Sequence, residues 1–132
     1  MNMNKTTKKI EVILVEPLKE PRCIEINNDL ETMQQLVGGL IEMSMPFEDE
    51  VAIICNDEGK LKGLEPNRAI YAENGYLMDI IAGTFFIAKA PFDSEEFESL
   101  SEDMKNKYLE KYRTPEKFLM VGNTIQAVPY IQ

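Results

Sequence analysis

The first apolar stretches of the chain predict a β-hairpin. Residues 10–15 are rich in β-branched side chains and partly alternate with polar ones, and residues 22–26 alternate polar and apolar side chains. This is the pattern of strands that bury one face. Pro17 and Pro21 bracket the segment between them, and proline is typical of turns. We therefore predict two strands that pair with each other.

A short helix is predicted next, over residues 30–37. The pair Asn28-Asp29 offers an N-cap, because a side-chain oxygen at that position accepts a hydrogen bond from a free N–H of the first turn. Gly38-Gly39 ends the helix, since the residue after a helix often adopts a positive φ. Apolar side chains recur at helical spacing in this segment: Leu30, Met33, Leu36 and Val37.

Three further apolar runs predict the rest of a sheet. Residues 40–43 and 51–55 are predicted strands, and the second is predicted to be central because it is continuously apolar. The most apolar stretch, residues 80–88, contains Gly83. We predict one strand there with a bulge or a close backbone approach at the glycine.

Two helices and a hairpin complete the prediction. Residues 64–71 predict a short helix with Pro66 in its first turn. Residues 94–113 predict a longer amphipathic helix. Residues 118–121 and 124–128 predict a hairpin around a Gly-Asn turn. The apolar stripe that indicates the longer helix consists of Phe97, Leu100, Met104, Tyr108 and Tyr112.

These elements predict the α+β fold class, with a small mixed or antiparallel sheet, a short central helix and an amphipathic C-terminal helix. The chain has 132 residues, of which 44% are hydrophobic, enough for one domain with a core. We assign the domain to residues 10–132 and describe residues 1–9 as a flexible basic N-terminal segment.

Composition excludes several kinds of site. The chain has no His, so it holds no Ser-His-Asp or Cys-His nucleophile system. Two Cys without His do not build a Cys/His zinc site. A net charge of −9 argues against direct nucleic-acid binding, which needs clustered Lys and Arg. We predict no cofactor, no metal and no catalytic residue.

Neither a secretory signal nor a membrane span is predicted, because the apolar run after the basic start is interrupted by Glu11 and stops at Glu16-Pro17. We therefore expect a cytoplasmic protein. Cys23 and Cys55 lie in apolar, strand-like segments, so we predict buried free thiols.

The strongest candidate site is residues 56–68, which we call the polar block. It holds two glycines and three cations in a short stretch, and glycine turns can direct backbone N–H groups toward an anion. Lys60, Lys62 and Arg68 are suited to phosphate. The spacing is not that of a P-loop, since Leu61 stands where Ser or Thr is needed. The alternative is an ordinary turn with solvated side chains.

Other features allow two interpretations each. Gly38 and Gly39 either admit a ligand or cap the helix. Two acidic stretches, residues 42–59 and 93–104, lack Lys and Arg where their acidic side chains cluster. They either imitate nucleic-acid phosphates or merely solubilise the surface. A set of methionines and phenylalanines either fills the core or forms an apolar patch shared between copies of a homo-oligomer: Met43, Met45, Met78, Met104, Met120, Phe85 and Phe86.

The chain resembles the family catalogued as domain of unknown function 3846, over about residues 10–120. Position 57 is Asp where Glu is expected. The resemblance implies a small accessory protein of phages, plasmids or conjugative elements of bacteria, and so a bacterial host. Such proteins often blunt host defence, but the family carries no activity to transfer. The matched positions are Val37, Gly38, Gly39, Ile41, Glu42, Asn56, Glu58, Gly59, Lys60, Leu61, Gly63, Leu64, Asn67, Arg68 and Gly83.

We therefore expect a non-enzymatic, homo-oligomeric module that sequesters a small phosphorylated or nucleotide-type immune signal without turnover. Lys60 and Arg68 would meet phosphate or ribose, and Asn56 and Asn67 would orient the ligand. The alternative is an acidic inhibitor of a host protein, of the DNA-mimic or anti-CRISPR type, that uses Glu95, Glu96 and Glu98. A third hypothesis is an accessory without a ligand. The remaining predicted ligand-binding residues are Gly38, Gly39, Glu58 and Gly59.

Overall fold

The computed structural model describes residues 8–131 and shows an α+β fold. Nine strands and two helices occur in the described part of the chain. In chain order they are β1 (Lys9–Val15), β2 (Arg22–Asn27), α1 (Leu30–Val37), β3 (Ile41–Ser44), β4 (Val51–Asn56), β5 (Pro66–Tyr71), β6 (Leu77–Ala82), β7 (Phe85–Lys89), α2 (Glu102–Lys111), β8 (Glu116–Val121) and β9 (Thr124–Pro129).

Five strands form one antiparallel sheet in the order β2-β1-β7-β4-β3. The predicted hairpin of β1 and β2 is confirmed, as is the predicted hairpin of β8 and β9. Strands β5 and β6 pair separately as a second two-stranded sheet. The N-terminal segment predicted to be flexible lies outside the described residues except for Lys8 and Lys9, and Lys9 begins β1.

The three middle strands of the five-stranded sheet, β1, β7 and β4, are buried on both faces, whereas the edge strands β2 and β3 are mostly exposed. Because side chains alternate along a strand, Val12 and Leu14 face α1 while Ile13 and Val15 face β5, β6 and α2. Asp29 caps α1 by accepting a hydrogen bond from Thr32 N at 2.8 Å, and Gly38 ends it with a φ of 81°. The helix and its caps are therefore as predicted.

The segment predicted as a short helix over residues 64–71 is strand β5, so that prediction was wrong. Four consecutive residues of β5 are buried: Asn67, Arg68, Ala69 and Ile70. Both polar members of this run bond to main-chain carbonyls of distant segments. These contacts outweigh the helical propensity, which is only a weak local preference.

The predicted helix over residues 94–113 is shorter in the structure, because α2 begins only after Ser101. Ser101 accepts a hydrogen bond from Met104 N at 3.2 Å. Before it, Glu98 bridges to Lys89. Phe97 and Leu100 pack against opposite faces of the large sheet, which two residues on one helical stripe cannot do. The helical spacing of apolar residues therefore extends by coincidence to Phe97 and Leu100, which lie in the extended segment before α2.

Residues 80–88 are not one strand, because Gly83 has a φ of 86° and separates β6 from β7. Strand β7 is central in the large sheet, whereas β6 belongs to the small one. A Cβ at Gly83 would lie 2.7 Å from Leu64 Cδ1. The predicted close approach at Gly83 is therefore confirmed, but the prediction of a single strand over residues 80–88 was wrong.

Cys23 and Cys55 are free thiols, as predicted. The prediction that both are buried was wrong, because Cys23 is exposed and Cys55 is only partly buried.

Candidate functional site

The first half of the polar block forms a tight turn after β4, and this turn borders a cavity of about 280 Å³. We call this cavity the acidic notch. Strands β3, β4 and β6 supply its other walls. Its charged lining residues are Glu42, Asp57, Glu58, Lys60 and Asp79.

Carboxylates dominate the electrostatics of the acidic notch. Its one lysine, Lys60, is paired with Asp79 at 2.5 Å between Nζ and Oδ1. Burial, together with the negative charges of Glu42 and Asp79, raises the pKa of the Cys55 thiol to about 11. This thiol is therefore neutral at physiological pH. A cavity with this charge balance attracts cations and repels anions.

Asn56 holds the turn in place rather than pointing outward. Its side chain is buried, and Nδ2 donates to Val37 O at 3.0 Å. Its Oδ1 accepts from Glu58 N at 2.8 Å. Asn56 thus joins the end of α1 to the turn, and a ligand would have to break these bonds to use its amide.

Of the three predicted site glycines, Gly38 and Gly39 lie beside Asn56, and Gly59 lies against β6. Gly38 is the left-handed C-cap of α1. A Cβ on Gly39 would lie 3.0 Å from Asn56 Nδ2, and a Cβ on Gly59 would lie 2.6 Å from the Ala82 carbonyl oxygen. Glycine is needed at position 59 because the turn lies directly against the end of β6.

Asn67 and Arg68 are enclosed in the fold, away from the acidic notch. Asn67 Nδ2 donates to Val15 O and to Gly83 O, each at 2.9 Å. Only 1% of Arg68 is exposed. Its Nη2 donates to Lys19 O at 2.7 Å and to Tyr112 O at 2.9 Å.

The remaining donors of Arg68 are also used internally. Nε donates to Tyr112 O at 3.2 Å, and Nη1 donates to Asn67 Oδ1 at 2.9 Å. Burial lowers the pKa of the guanidinium, while the nearby Glu116 carboxylate acts in the opposite direction. The group therefore joins the β1–β2 turn, β5 and the end of α2, and has no donor left for a phosphate.

The structure thus brings together only part of the predicted site. Asn56, Glu58, Gly59 and Lys60 share the turn, with Gly38 and Gly39 beside Asn56. Asn67 and Arg68 are not in that group. A larger cavity of about 820 Å³ lies near the β1–β2 turn and the end of the chain, and none of the predicted site residues lines it.

A third cavity, of about 450 Å³, adjoins the acidic notch. We call it the apolar groove. Its apolar lining residues are Leu64, Pro66, Leu77, Met78, Phe118 and Ile125. Lys60, Asp79, Ile80 and Ala82 line both cavities, so the two cavities share a wall. Sequence reasoning missed Asp79 and this wall. The sequence feature that could have indicated them is the apolar segment Leu77–Ala82, which is interrupted by the single carboxylate of Asp79.

Among residues 8–131, no cluster of three or more His, Cys, Asp and Glu side chains is arranged to hold a metal ion. In the same range, no helix is both long and apolar enough to cross a membrane.

A family model described as domain of unknown function (DUF3846) matches residues 10–113. The chain belongs to the DUF3846 family. The match includes every predicted site residue and ends before β8, so the β8–β9 hairpin lies outside it. The resemblance seen in the sequence is therefore confirmed for the family and for most of its extent. No curated protein and no solved structure matches the chain significantly.

Proposed function

We propose that this DUF3846 chain is a non-catalytic binding protein that captures a basic, amphipathic segment of another protein. The acidic notch receives a Lys or Arg side chain, and the apolar groove receives a neighbouring aliphatic side chain. In the setting that the resemblance implies, the protein acts for a phage or another mobile element, and the partner is a basic protein of bacterial host defence. The acidic-inhibitor hypothesis is thereby preferred to nucleotide capture.

The observation that carries this proposal is the shared wall of the two cavities. Asp79 and Lys60 line both of them. A segment that places a cation in one cavity therefore has apolar surface directly beside it. Recognition of this kind combines charge steering with apolar burial.

The apolar part of this face is exposed. Leu77 is 48% exposed, Met78 54% and Ile125 50%. Exposed apolar side chains that cluster around a concave surface are typical of interaction sites, whereas scattered ones are not. Burying them against a partner would stabilise the complex by roughly 25 cal/mol for each Å² removed from water.

The charges favour a cationic partner over a nucleotide. A nucleotide would bring phosphates to a notch lined by four carboxylates and one lysine already paired with Asp79. The backbone N–H groups of Glu58, Gly59 and Lys62 donate to other atoms of the chain. Arg68, which the nucleotide hypothesis requires, is enclosed.

The test is a binding titration with a fluorescein-labelled peptide of alternating Arg and Leu, monitored by fluorescence anisotropy. A peptide of alternating Glu and Leu is the control for charge, and ADP-ribose and a cyclic oligonucleotide serve as competitors. We expect the basic peptide to bind and the acidic peptide and nucleotides to be inert. Two variants of equal charge locate the site: Glu42→Lys/Asp57→Lys in the notch and Glu95→Lys/Glu96→Lys outside it.

The notch variant should weaken binding by about tenfold or more, and the outer variant by less than about threefold, because a reversed charge acts strongly only at close range. The opposite ranking would place binding on the 93–104 acidic stretch and overturn the assignment. Competition by a nucleotide, with loss of binding in Lys60→Ala, would establish nucleotide capture instead.

A further inference from the structure

The hairpin of β8 and β9, which we call the arm, carries charged side chains only at its base, at Glu116 and Lys117. Residues 118–132 contain no Asp, Glu, Lys or Arg, although such residues make up 28% of the sequence. Despite this, most of the arm is exposed. Met120 is 66% exposed, and Leu119 and Val121 are 50% and 49% exposed. The DUF3846 match ends at residue 113, before the arm begins.

The two faces of the arm have different surroundings. Phe118 and Ile125 line the apolar groove, and side chains alternate along each strand. Leu119 and Val121 therefore lie on the opposite, outer face, where Gln126 and Thr124 are their cross-strand neighbours. Within residues 8–131, β9 pairs with β8 and with no other strand, so its outer edge presents unpaired backbone groups.

We propose that a second copy of this chain binds the outer face of the arm, so that two chains associate arm to arm. Each chain carries a net charge of −9, and two such chains repel each other wherever their charged surfaces meet. Association of identical chains therefore needs an uncharged patch, and the outer face provides one. Lys117, at the base of this face, lies over the Tyr130 ring at 5.1 Å.

A second copy also supplies a layer that the arm lacks. An isolated two-stranded hairpin is marginally stable in water, and three or more strands with an apolar face are more stable. A twofold axis through the outer face would stack the two hairpins face to face, with Leu119 and Val121 of each chain packed against those of the other. This contact lies opposite the apolar groove, so it neither needs the proposed partner binding nor blocks it.

The test is the mass of the full chain in solution, measured by sedimentation velocity over a range of concentrations. We expect a species of twice the chain mass of 15.1 kDa that dissociates on dilution. The variant Leu119→Lys/Val121→Lys should raise the dimer dissociation constant about 100-fold, because it places like charges in an apolar contact. Leu30→Lys is the control, since Leu30 is 56% exposed and begins α1, which packs on the opposite face of the five-stranded sheet from β5 and β6.

Circular dichroism of each variant establishes that it is folded, and Leu119→Thr/Val121→Thr offers a milder change that retains β-propensity. The milder variant should still weaken association about tenfold. A wild-type chain that stays at 15.1 kDa at every concentration overturns the proposal. So does a dimer that both arm variants leave intact, or a monomer that binds phosphatidylcholine vesicles through the arm.

Discussion

The two halves of the polar block look alike in sequence and differ completely in the fold. Asp57 to Gly63 form a turn beside a cavity, held at its start by the buried Asn56, while Asn67 and Arg68, a few residues later, lie inside the protein. Both halves contain amides and cations. The difference shows that polar side chains near glycines in a sequence do not by themselves indicate a ligand site. Their donors and acceptors can bond to the protein's own main chain as well as to a ligand.

Arg68 illustrates how a buried cation is accommodated without a carboxylate in direct contact. Its donors reach the carbonyls of Lys19 and Tyr112 and the side chain of Asn67. A buried charge is costly unless it is fully hydrogen-bonded. The carbonyls it serves would in turn be left without partners if it were removed. Arg68 therefore fixes three segments of the fold to one another.

The largest effect should come from Arg68→Met. We expect the free energy of unfolding to fall by about 3–5 kcal/mol, because buried carbonyls lose their donors. Arg22→Met is the matched control, since the Arg22 side chain is 57% exposed and pairs only with Glu16 among described contacts. It should cost less than about 1 kcal/mol. Urea unfolding measures both, and similar small losses would show that Arg68 is dispensable to the fold.

Gly59→Ala tests the other half of the block. The new Cβ would lie 2.6 Å from the Ala82 carbonyl oxygen, so the turn must move away from β6. We expect a loss of about 1–3 kcal/mol in the free energy of unfolding. Lys62→Ala, at an exposed neighbouring position, should change it by less than about 0.5 kcal/mol. Equal effects of the two substitutions would contradict the close packing of this turn.

The burial of Cys55 and the negative charges of the acidic notch should together slow the alkylation of this thiol. The pKa of Cys55 is raised to about 11, so at any lower pH the folded protein holds less reactive thiolate than an ordinary cysteine does. Cys23 is exposed. At mildly alkaline pH, iodoacetamide should alkylate Cys23 first and Cys55 about tenfold more slowly. The Cys55 rate should keep rising as the pH approaches 11.

Glu42→Gln should speed the alkylation of Cys55, because it removes a negative charge that raises the pKa of this thiol. Peptide mass spectrometry resolves the two cysteines. Unchanged labelling of Cys55 in this variant would mean that the Glu42 charge does not contribute to the raised pKa, which burial would then explain.

Lys60→Ala should have only a small effect on stability. The Lys60 and Asp79 side chains are 65% and 51% exposed, and exposed ion pairs contribute about 0–1 kcal/mol. The same variant should strengthen binding of the Arg-Leu peptide about threefold, since it frees Asp79 for the partner's cation. Weaker peptide binding would mean that Lys60 itself contacts the ligand.

Sequence patterns predicted helices and strands correctly where a single local feature, such as a helix cap or polar–apolar alternation, determines the conformation. Helix α1 follows from Asp29 and Gly38, and β1 and β2 follow from alternation. Prediction failed where a distant contact decided the conformation. Residues 64–71 became a strand because Asn67 and Arg68 bond to carbonyls on β1 and after α2. No local pattern contains those partners.

The candidate site was predicted in part for the same reason. The turn after β4 could be located from its glycines, and the acidity of residues 42–59 was visible. Asp79 and the apolar groove depend on the pairing of β5 with β6 and on the position of the arm. The uncharged run from residue 118 onward was a usable signal, but only exposure in the fold distinguishes it from core.

The most direct test of the proposed function is hydrogen–deuterium exchange of the full chain with and without the Arg-Leu peptide or ADP-ribose. Binding of a basic amphipathic segment predicts slower exchange in residues 57–61 and 77–82 with the peptide, and no change with ADP-ribose. Protection by ADP-ribose at residues 57–61, without protection by the peptide, would contradict the account and restore the nucleotide hypothesis.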